Sequence, residues 1–402
     1  MRLLLVTFAL LAQAEDWPNW RGPTNNGTSR DAKYPTEWSA TKNIAWKTPL
    51  NGLAVSTPIV SGPYVFVTYQ IGENALKPGV HPTLVQGAAA ATSGEHALGG
   101  TRPHDRANDK IVLAVAAFDR KTGQQAWEFK FNAEGDLPLT HEKRNLATPS
   151  PVTDGERVYA WFSNGQIAAV DRKGKLVWSR HIGREYSVMD IDWGQSSSPA
   201  LYENLIILPC YNPSAAFLLA LDKNTGKQVW KTDRPKGAIS YSTPLLIEGP
   251  ELILNTSERV ESFDPKTGKL KWQFTEANRF PIPMPVFENG TLYMNRGYRS
   301  SPYMAIRAGG EGEVSPIWRT ANGGPYVPSL VLYDGLLYMA NEAGIVSSVD
   351  AKSGELVWRE RLGGFYSASP VAADGKIYLL SETGEMLVLK RAGRRRFWRR
   401  MI

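Results

Sequence analysis

Cysteine is almost absent from this 402-residue chain: Cys210 is the only one. A single thiol forms no intrachain disulfide, no iron–sulfur cluster and no cysteine-rich zinc site. Cys210 sits in the apolar run 205–210 and reads as a buried structural thiol. Histidine is scarce too, five in all, and His81, His96 and His104 fall in one Gly/Ala-rich stretch at spacings that match no metal template. The sequence contains no Gly-x-Ser-x-Gly, P-loop, His-Glu-x-x-His or dinucleotide fingerprint. Apolar residues at i, i+3 and i+4 are missing from the repeated segments described below, which argues against a helical repeat. Beyond residue 14 no apolar run is long enough to span a bilayer.

Broad basic character is also lacking. The formal charge is +7, but residues 391–402 hold six Arg and no acid; subtracting these leaves +1 on the other 390 residues. A nearly neutral body argues against a nucleic-acid partner, and the Arg-rich tail reads as an altered end of the last repeat. At the other terminus, Arg2, the apolar run 3–12 and Ala12-Gln13-Ala14 read as a secretory signal peptide over residues 1–14. No Cys follows it, so a lipid anchor is not expected. The mature chain is expected to be exported, periplasmic or secreted, and monomeric.

What the chain has in quantity is Trp, Gly and Pro: 13, 36 and 27. They recur in phase. Asp350-Ala-Lys-Ser-Gly354-Glu-Leu-Val-Trp358 has counterparts running Asp264 to Trp272, Asp222 to Trp230, Asp119 to Trp127 and, one residue shorter, Asp171 to Trp178. Each reads as two strands joined by a tight turn, with Gly at the position needing positive φ and Asp accepting bonds from the turn's amides. A second motif precedes it, a strand opened by Ser-Pro and closed by Asp-Gly or Asn-Gly. Ser150-Pro151…Asp154-Gly155 and Ser369-Pro370…Asp374-Gly375 are its cleanest copies.

Together the motifs give four antiparallel strands per unit. Trp46, Trp127, Trp178, Trp230, Trp272, Trp318 and Trp358 are the expected docking residues, and most fall 40–52 residues apart, the period of propeller blades. The interval from Trp46 to Trp127 is 81, so one blade carries an insertion over residues 71–110. The unit ending at Trp318 has lost its Asp-x-x-Thr-Gly turn. The fold class is therefore all-β, a β-propeller over residues 42–390 behind an irregular leader over 15–41. Seven units are recognisable, in a ring of seven or eight blades. An eight-bladed type with an incomplete last blade is the preferred reading, and Trp46 ends a strand that lacks its hairpin partner.

These repeats resemble the tryptophan-docking repeats of PQQ-type β-propellers over nearly all of residues 40–390. That family includes PQQ-dependent alcohol dehydrogenases and the non-enzymatic outer-membrane assembly factor BamB. The leader Trp17-Pro-Asn-Trp20-Arg21-Gly22-Pro23 is typical of its exported PQQ-binding-like group. The resemblance implies two functions. One is a non-catalytic scaffold for a protein, peptide or glycan, with no cofactor. The alternative is a quinoprotein dehydrogenase holding PQQ with calcium, from which the lone Cys210 removes the adjacent-cysteine disulfide of many members. Propellers bind through loops around one channel mouth. The segments before the Ser-Pro strands supply the candidates: His141, Arg144, Asn145, Trp193, Gln195, Arg279, Arg299, Tyr326 and Tyr366. Arg, Tyr and Trp on a mouth suit a binding hot spot, although the rings could equally plug the channel.

Overall fold

The computed structural model describes residues 15–30, 34–72, 111–135, 137–138, 144–298, 302–390 and the backbone of 397–401. The expected signal peptide, residues 73–110 of the expected insertion with its three histidines, and the candidates His141 and Arg299 lie outside the described residues. Among the described residues the chain forms seven sheets, each built on a four-stranded antiparallel meander, two of them with a fifth, parallel strand. The first comprises Ile59–Ser61, Tyr64–Gly72, Ile111–Asp119 and Gln125–Asn132. The others span 152–181, 200–233, 245–275, 286–320, 331–361 and 371–401. This is the β-propeller architecture the repeats predict.

The Asp-x-x-Thr-Gly segments are hairpin turns, as their residue types require. Asp119 Oδ1 accepts the amides of Lys121 (2.9 Å) and Thr122 (2.8 Å) and the Thr122 hydroxyl (3.0 Å). Asp222 and Asp350 repeat the arrangement. The Thr122 amide holds the Asp119 carboxyl below its ordinary pKa, and the Ser353 amide does the same for Asp350. These carboxylates are committed to turn geometry.

Each outer strand carries a bulge beside its Trp. Trp127 pairs with Ala117, Trp178 with Ala169 and Trp358 with Ser348, and the register shifts at the next pair. The ring of one sheet then lies over the turn Gly of the next. Trp46 covers Gly123, Trp127 covers Gly174, Trp178 covers Gly226, Trp230 covers Gly268 and Trp318 covers Gly354. Each indole N–H donates to the carbonyl that follows the turn's Asp: Arg120 (3.0 Å), Arg172 (2.8 Å), Lys223 (2.9 Å), Pro265 (3.2 Å) and Ala351 (3.0 Å). Trp272 differs because the next sheet lacks that turn. Its indole N–H donates to the buried Glu251 carboxylate instead (2.7 Å). The replacement segment adds Gly312–Glu313 as a parallel strand beside Trp272.

The Ser-Pro serines form a second girdle, on the inner strands. The Thr57 amide donates to Ser150 Oγ (3.0 Å), that of Ser150 to Ser198 Oγ (2.9 Å) and that of Ser198 to Thr243 Oγ1 (2.9 Å). Further round, Met284 donates to Ser329 Oγ and Ser329 to Ser369 Oγ, both at 2.9 Å. These bonds satisfy amides at strand starts that the sheet ladders leave over.

Six apolar clusters fill the spaces between successive sheets, the largest uniting Tyr159, Trp161 and Trp178 with Leu208, Phe217 and Leu219. Between the seventh and first sheets the N-terminal residues take over. Leu50 and Ala54 pack on the first sheet, while Tyr34 meets Tyr378 of the seventh at 6.4 Å. Residues 43–52 are irregular rather than the strand expected at Trp46, and the Trp46 ring lies over Gly123. At the Arg-rich end, Phe397–Met401 supplies the fourth strand of the seventh sheet. There Val388 pairs with Arg399, so Trp398 stands one residue off the phase of the other tryptophans.

The leader crosses the inner strands near their Asp-Gly ends. Trp17 and Val60 exchange both backbone bonds at 2.8 Å, and the Thr153 amide donates to Pro18 (3.0 Å). Asn26 bonds both backbone groups of Phe287, and Thr28–Ser29 pairs in parallel with the inner strand Val371–Ala373. Arg21 is the latch, donating to the carbonyls of Leu330 (2.7 Å), Pro370 (3.1 Å) and Asn26 (2.9 Å). Its burial lowers its pKa to about 10.

The docking geometry makes a paired prediction. Gly226 has φ +69°, and a Cβ there would lie 2.7 Å from the Trp178 ring; Gly290 has φ +77° with nothing within 4 Å. Gly290→Ala should cost about 1 kcal/mol from backbone strain alone, and Gly226→Ala at least about 2 kcal/mol, because the ring must also move. Urea unfolding of both variants measures this; equal losses would show that the ring contact is loose.

Candidate functional site

The loops preceding the inner strands converge on the channel mouth opposite the leader. Beneath them lies a cavity of about 890 Å³. Its described lining includes Arg144, Trp193, Tyr241, Phe280, Ile282, Tyr298 and Tyr326 from the mouth loops. The girdle residues Ser150, Ser198, Thr243 and Ser369 line it further in, and Trp17, Trp20 and Arg21 of the leader line its closed end. The cavity also reaches the seventh sheet at Tyr378, Leu380 and Met386. Arg21 and Arg144 are charged, and the described lining contains no Asp or Glu.

The aromatic rings form one cluster. Tyr298 and Tyr326 have centroids 4.5 Å apart, Phe280 and Tyr298 5.3 Å, and Tyr241 and Phe280 6.3 Å, all within the range of favourable ring contacts. The Arg144 guanidinium carbon lies 6.0 Å from the Tyr241 ring centroid. The Tyr241 hydroxyl donates to the Asp192 carbonyl (2.5 Å), which ties the fourth sheet's entry loop to the Trp193 loop. Trp193 itself has φ +69°, a left-handed conformation rare for a bulky residue, and Gly194 follows at +80°. Such strain persists only where surrounding bonds impose it.

The sequence candidates separate by placement. Arg144, Trp193 and Tyr326 line the cavity together. Asn145 and Gln195 are fully buried and serve the backbone: Asn145 Nδ2 donates to Leu53 O (2.8 Å) and Gln195 Nε2 to Pro209 O (2.6 Å). Arg279 is exposed beside Phe280, its guanidinium carbon 5.1 Å from that ring centroid, and does not line the cavity. Tyr366 is buried in the cluster between the sixth and seventh sheets. Tyr241, Phe280 and Glu342 belong to the mouth without having been singled out. Tyr241 stands two residues before Thr243-Pro244, a usable signal, whereas nothing local marks Glu342.

Glu342 supports the Tyr326 loop from beneath. It is buried, and its Oε1 accepts the amides of Tyr326 (2.5 Å) and Val327 (3.2 Å). Burial pushes its carboxyl up to about 7, and the charge of Glu382 adds to the effect. The folded chain therefore holds a proton here that the unfolded chain releases near the ordinary carboxylate value. Stability from this group falls as pH rises from about 4.5 towards 7 and then levels off. Glu342→Gln should flatten that part of the melting-temperature profile; an unchanged slope would remove Glu342 as its source.

The sequence profile of the family described as outer membrane protein assembly factor BamB matches residues 34–208, 114–281, 214–299 and 305–401. The chain is 29% identical over 143 residues to tetrathionate hydrolase of Acidithiobacillus ferrooxidans, covering 35% of this chain and 27% of that protein. It is 31% identical over 127 residues to outer membrane protein assembly factor BamB of Burkholderia pseudomallei (31% and 29% covered). It is 24% identical over 214 residues to the quinoprotein alcohol dehydrogenase PedH of Pseudomonas putida (50% and 32%). The chain thus spans about a third or less of each of these relatives. Among solved structures, a quinohemoprotein alcohol dehydrogenase from Comamonas testosteroni superposes with a TM-score of 0.66 at 10% identity, covering 94% of this chain and 72% of that one. BamB from Moraxella catarrhalis gives 0.53 at 14% identity, covering 71% and 80%. These likenesses are of fold. With profile matches running from residue 34 to 401, the chain belongs to the BamB-like family of PQQ-type β-propeller repeat proteins.

Proposed function

We propose that this chain is an exported, non-catalytic β-propeller scaffold that holds a protein segment in the aromatic cavity at its mouth. The observation that carries the reading is the chemistry of the lining: a cluster of Tyr, Phe and Trp rings, two guanidiniums, hydroxyls, and no described carboxylate. Large rigid rings with a polar edge are the side chains that dominate peptide and protein hot spots. The assembly-factor name carried by a relative points the same way.

The dehydrogenase relatives make a calcium-held quinone the competing occupant. Calcium takes six to eight oxygen ligands, carboxylates prominent among them, and the reaction would need a carboxylate base. The described lining supplies neither, and the Asp side chains of the repeats are held in turns. The described lining residues do not fit that group.

Full-length protein supplied with PQQ and calcium should give no alcohol-dependent dye reduction. Peptides selected by phage display against it should bind at least tenfold more weakly to a Tyr298→Ala/Tyr326→Ala double variant. Quinone-dependent turnover, or peptide binding indifferent to both substitutions, would overturn the reading.

A further inference from the structure

Arg144 is the charged residue that the described mouth loops bring to the cavity, and the scaffold reading does not say what its charge meets. Its Nη1 is shielded from solvent and has no hydrogen-bond partner among the described residues. The guanidinium rests against the Tyr241 ring. Burial lowers its pKa, with the Tyr241 and Tyr326 hydroxyls acting in the opposite direction. Arg296, a fully buried guanidinium, donates to the carbonyls of Thr256 and Glu276 and to the Asn255 side chain, so that its Nη atoms are engaged and only its Nε lacks a partner. Arg21 is likewise held by three carbonyls. Arg144 as a whole is only partly buried, but leaving its shielded Nη1 unpaired is costly, and a carboxylate can take two parallel N–H bonds from a guanidinium.

We propose that the cavity captures the C-terminal residue of a peptide, with the terminal carboxylate on Arg144 and the last side chain among Phe280, Ile282, Tyr298 and Tyr326. This rests on the peptide-binding reading above and specifies its ligand. Three observations select a chain end. First, the leader lies across the far end of the channel, so a segment entering at the mouth has no described exit there. An internal Asp or Glu would need a path out for backbone on both sides of it. Second, a C-terminal residue carries its anion and its apolar side chain on one carbon, as Arg144 and the ring cluster stand side by side. Third, no described carboxylate in the lining repels the anion, and about 890 Å³ is within the size range that encloses drug-sized ligands. Capture of a terminal carboxylate is a recurring mode of peptide recognition.

The test is calorimetric titration of the full-length protein at pH 7 with acetyl-Ala-Leu-Phe bearing a free C-terminus, with its C-terminal amide, and with 2-naphthoate. The free acid should bind at least tenfold more tightly than the amide. Arg144→Gln should shrink that preference to within about twofold, while Arg279→Gln, an exposed mouth arginine, should leave it intact. If Arg144→Gln does not fold, the acid-to-amide ratio of the unaltered protein decides. Equal binding of acid and amide overturns the carboxylate assignment and leaves the peptide reading standing. Binding of 2-naphthoate as tight as that of the peptide acid overturns the peptide as the source of the anion. Binding of none of the three overturns this inference, while the display experiment above judges the peptide reading by itself.

Discussion

The indole ring lying over the turn glycine of the next sheet is the contact on which the ring depends. A four-stranded meander has two apolar faces and cannot bury either alone, so each sheet is stable only against its neighbours. The Trp–Gly contact fixes how neighbouring sheets meet at the outside, and the Ser-Pro hydroxyls fix the inside. Between those two girdles lie the apolar clusters. Their packing gives most of the favourable free energy, at roughly 25 cal/mol per Å² of apolar surface buried. Where a turn is lost, as before Trp318, the indole N–H of Trp272 donates instead to the buried Glu251 carboxylate of its own sheet.

The same constraint explains where function can reside. Among the described repeats, Asp, Thr, Gly and Trp are engaged in turns and docking and Ser in the inner girdle. The units differ in the loops between an outer strand and the next inner one, in the insertion over residues 71–110 and in the lost turn before Trp318. The outer-to-inner loops place Trp193, Tyr241, Phe280 and Tyr326 on one mouth, and Tyr298 joins them from the loop between Thr291–Asn295 and Tyr303–Arg307. The leader is bonded to the inner strands of several sheets and gives the cavity its floor.

Repeats are legible because their residues are local: the Gly of a turn and the Asp that bonds its amides are neighbours in sequence. Fold class and strand number per unit could therefore be read directly, and five of the seven tryptophans marked in sequence lie over a turn glycine; Trp272 bonds Glu251 instead, and the indole N–H of Trp358 has no partner among the described residues. The leader's route was not legible, since Arg21 bonds carbonyls more than 300 residues away. Nor was the fate of Asn145 and Gln195. Polar residues beside a mouth look like ligands in a sequence, and only packing reveals that they are turned inward onto the backbone. Arg144 was recognisable as a mouth residue, but that it lacks a partner is a property of three dimensions.

The central claim is that the repeat tryptophans hold the ring and the mouth does the binding. Trp178→Ala tests it most directly, because that indole is buried, covers Gly226 and donates to Lys223. Unfolding free energy and peptide affinity should be measured on the same variant, at a temperature where it is folded. The account predicts a loss of about 3–5 kcal/mol in stability with unchanged affinity per folded molecule. Intact stability with lost binding would contradict it.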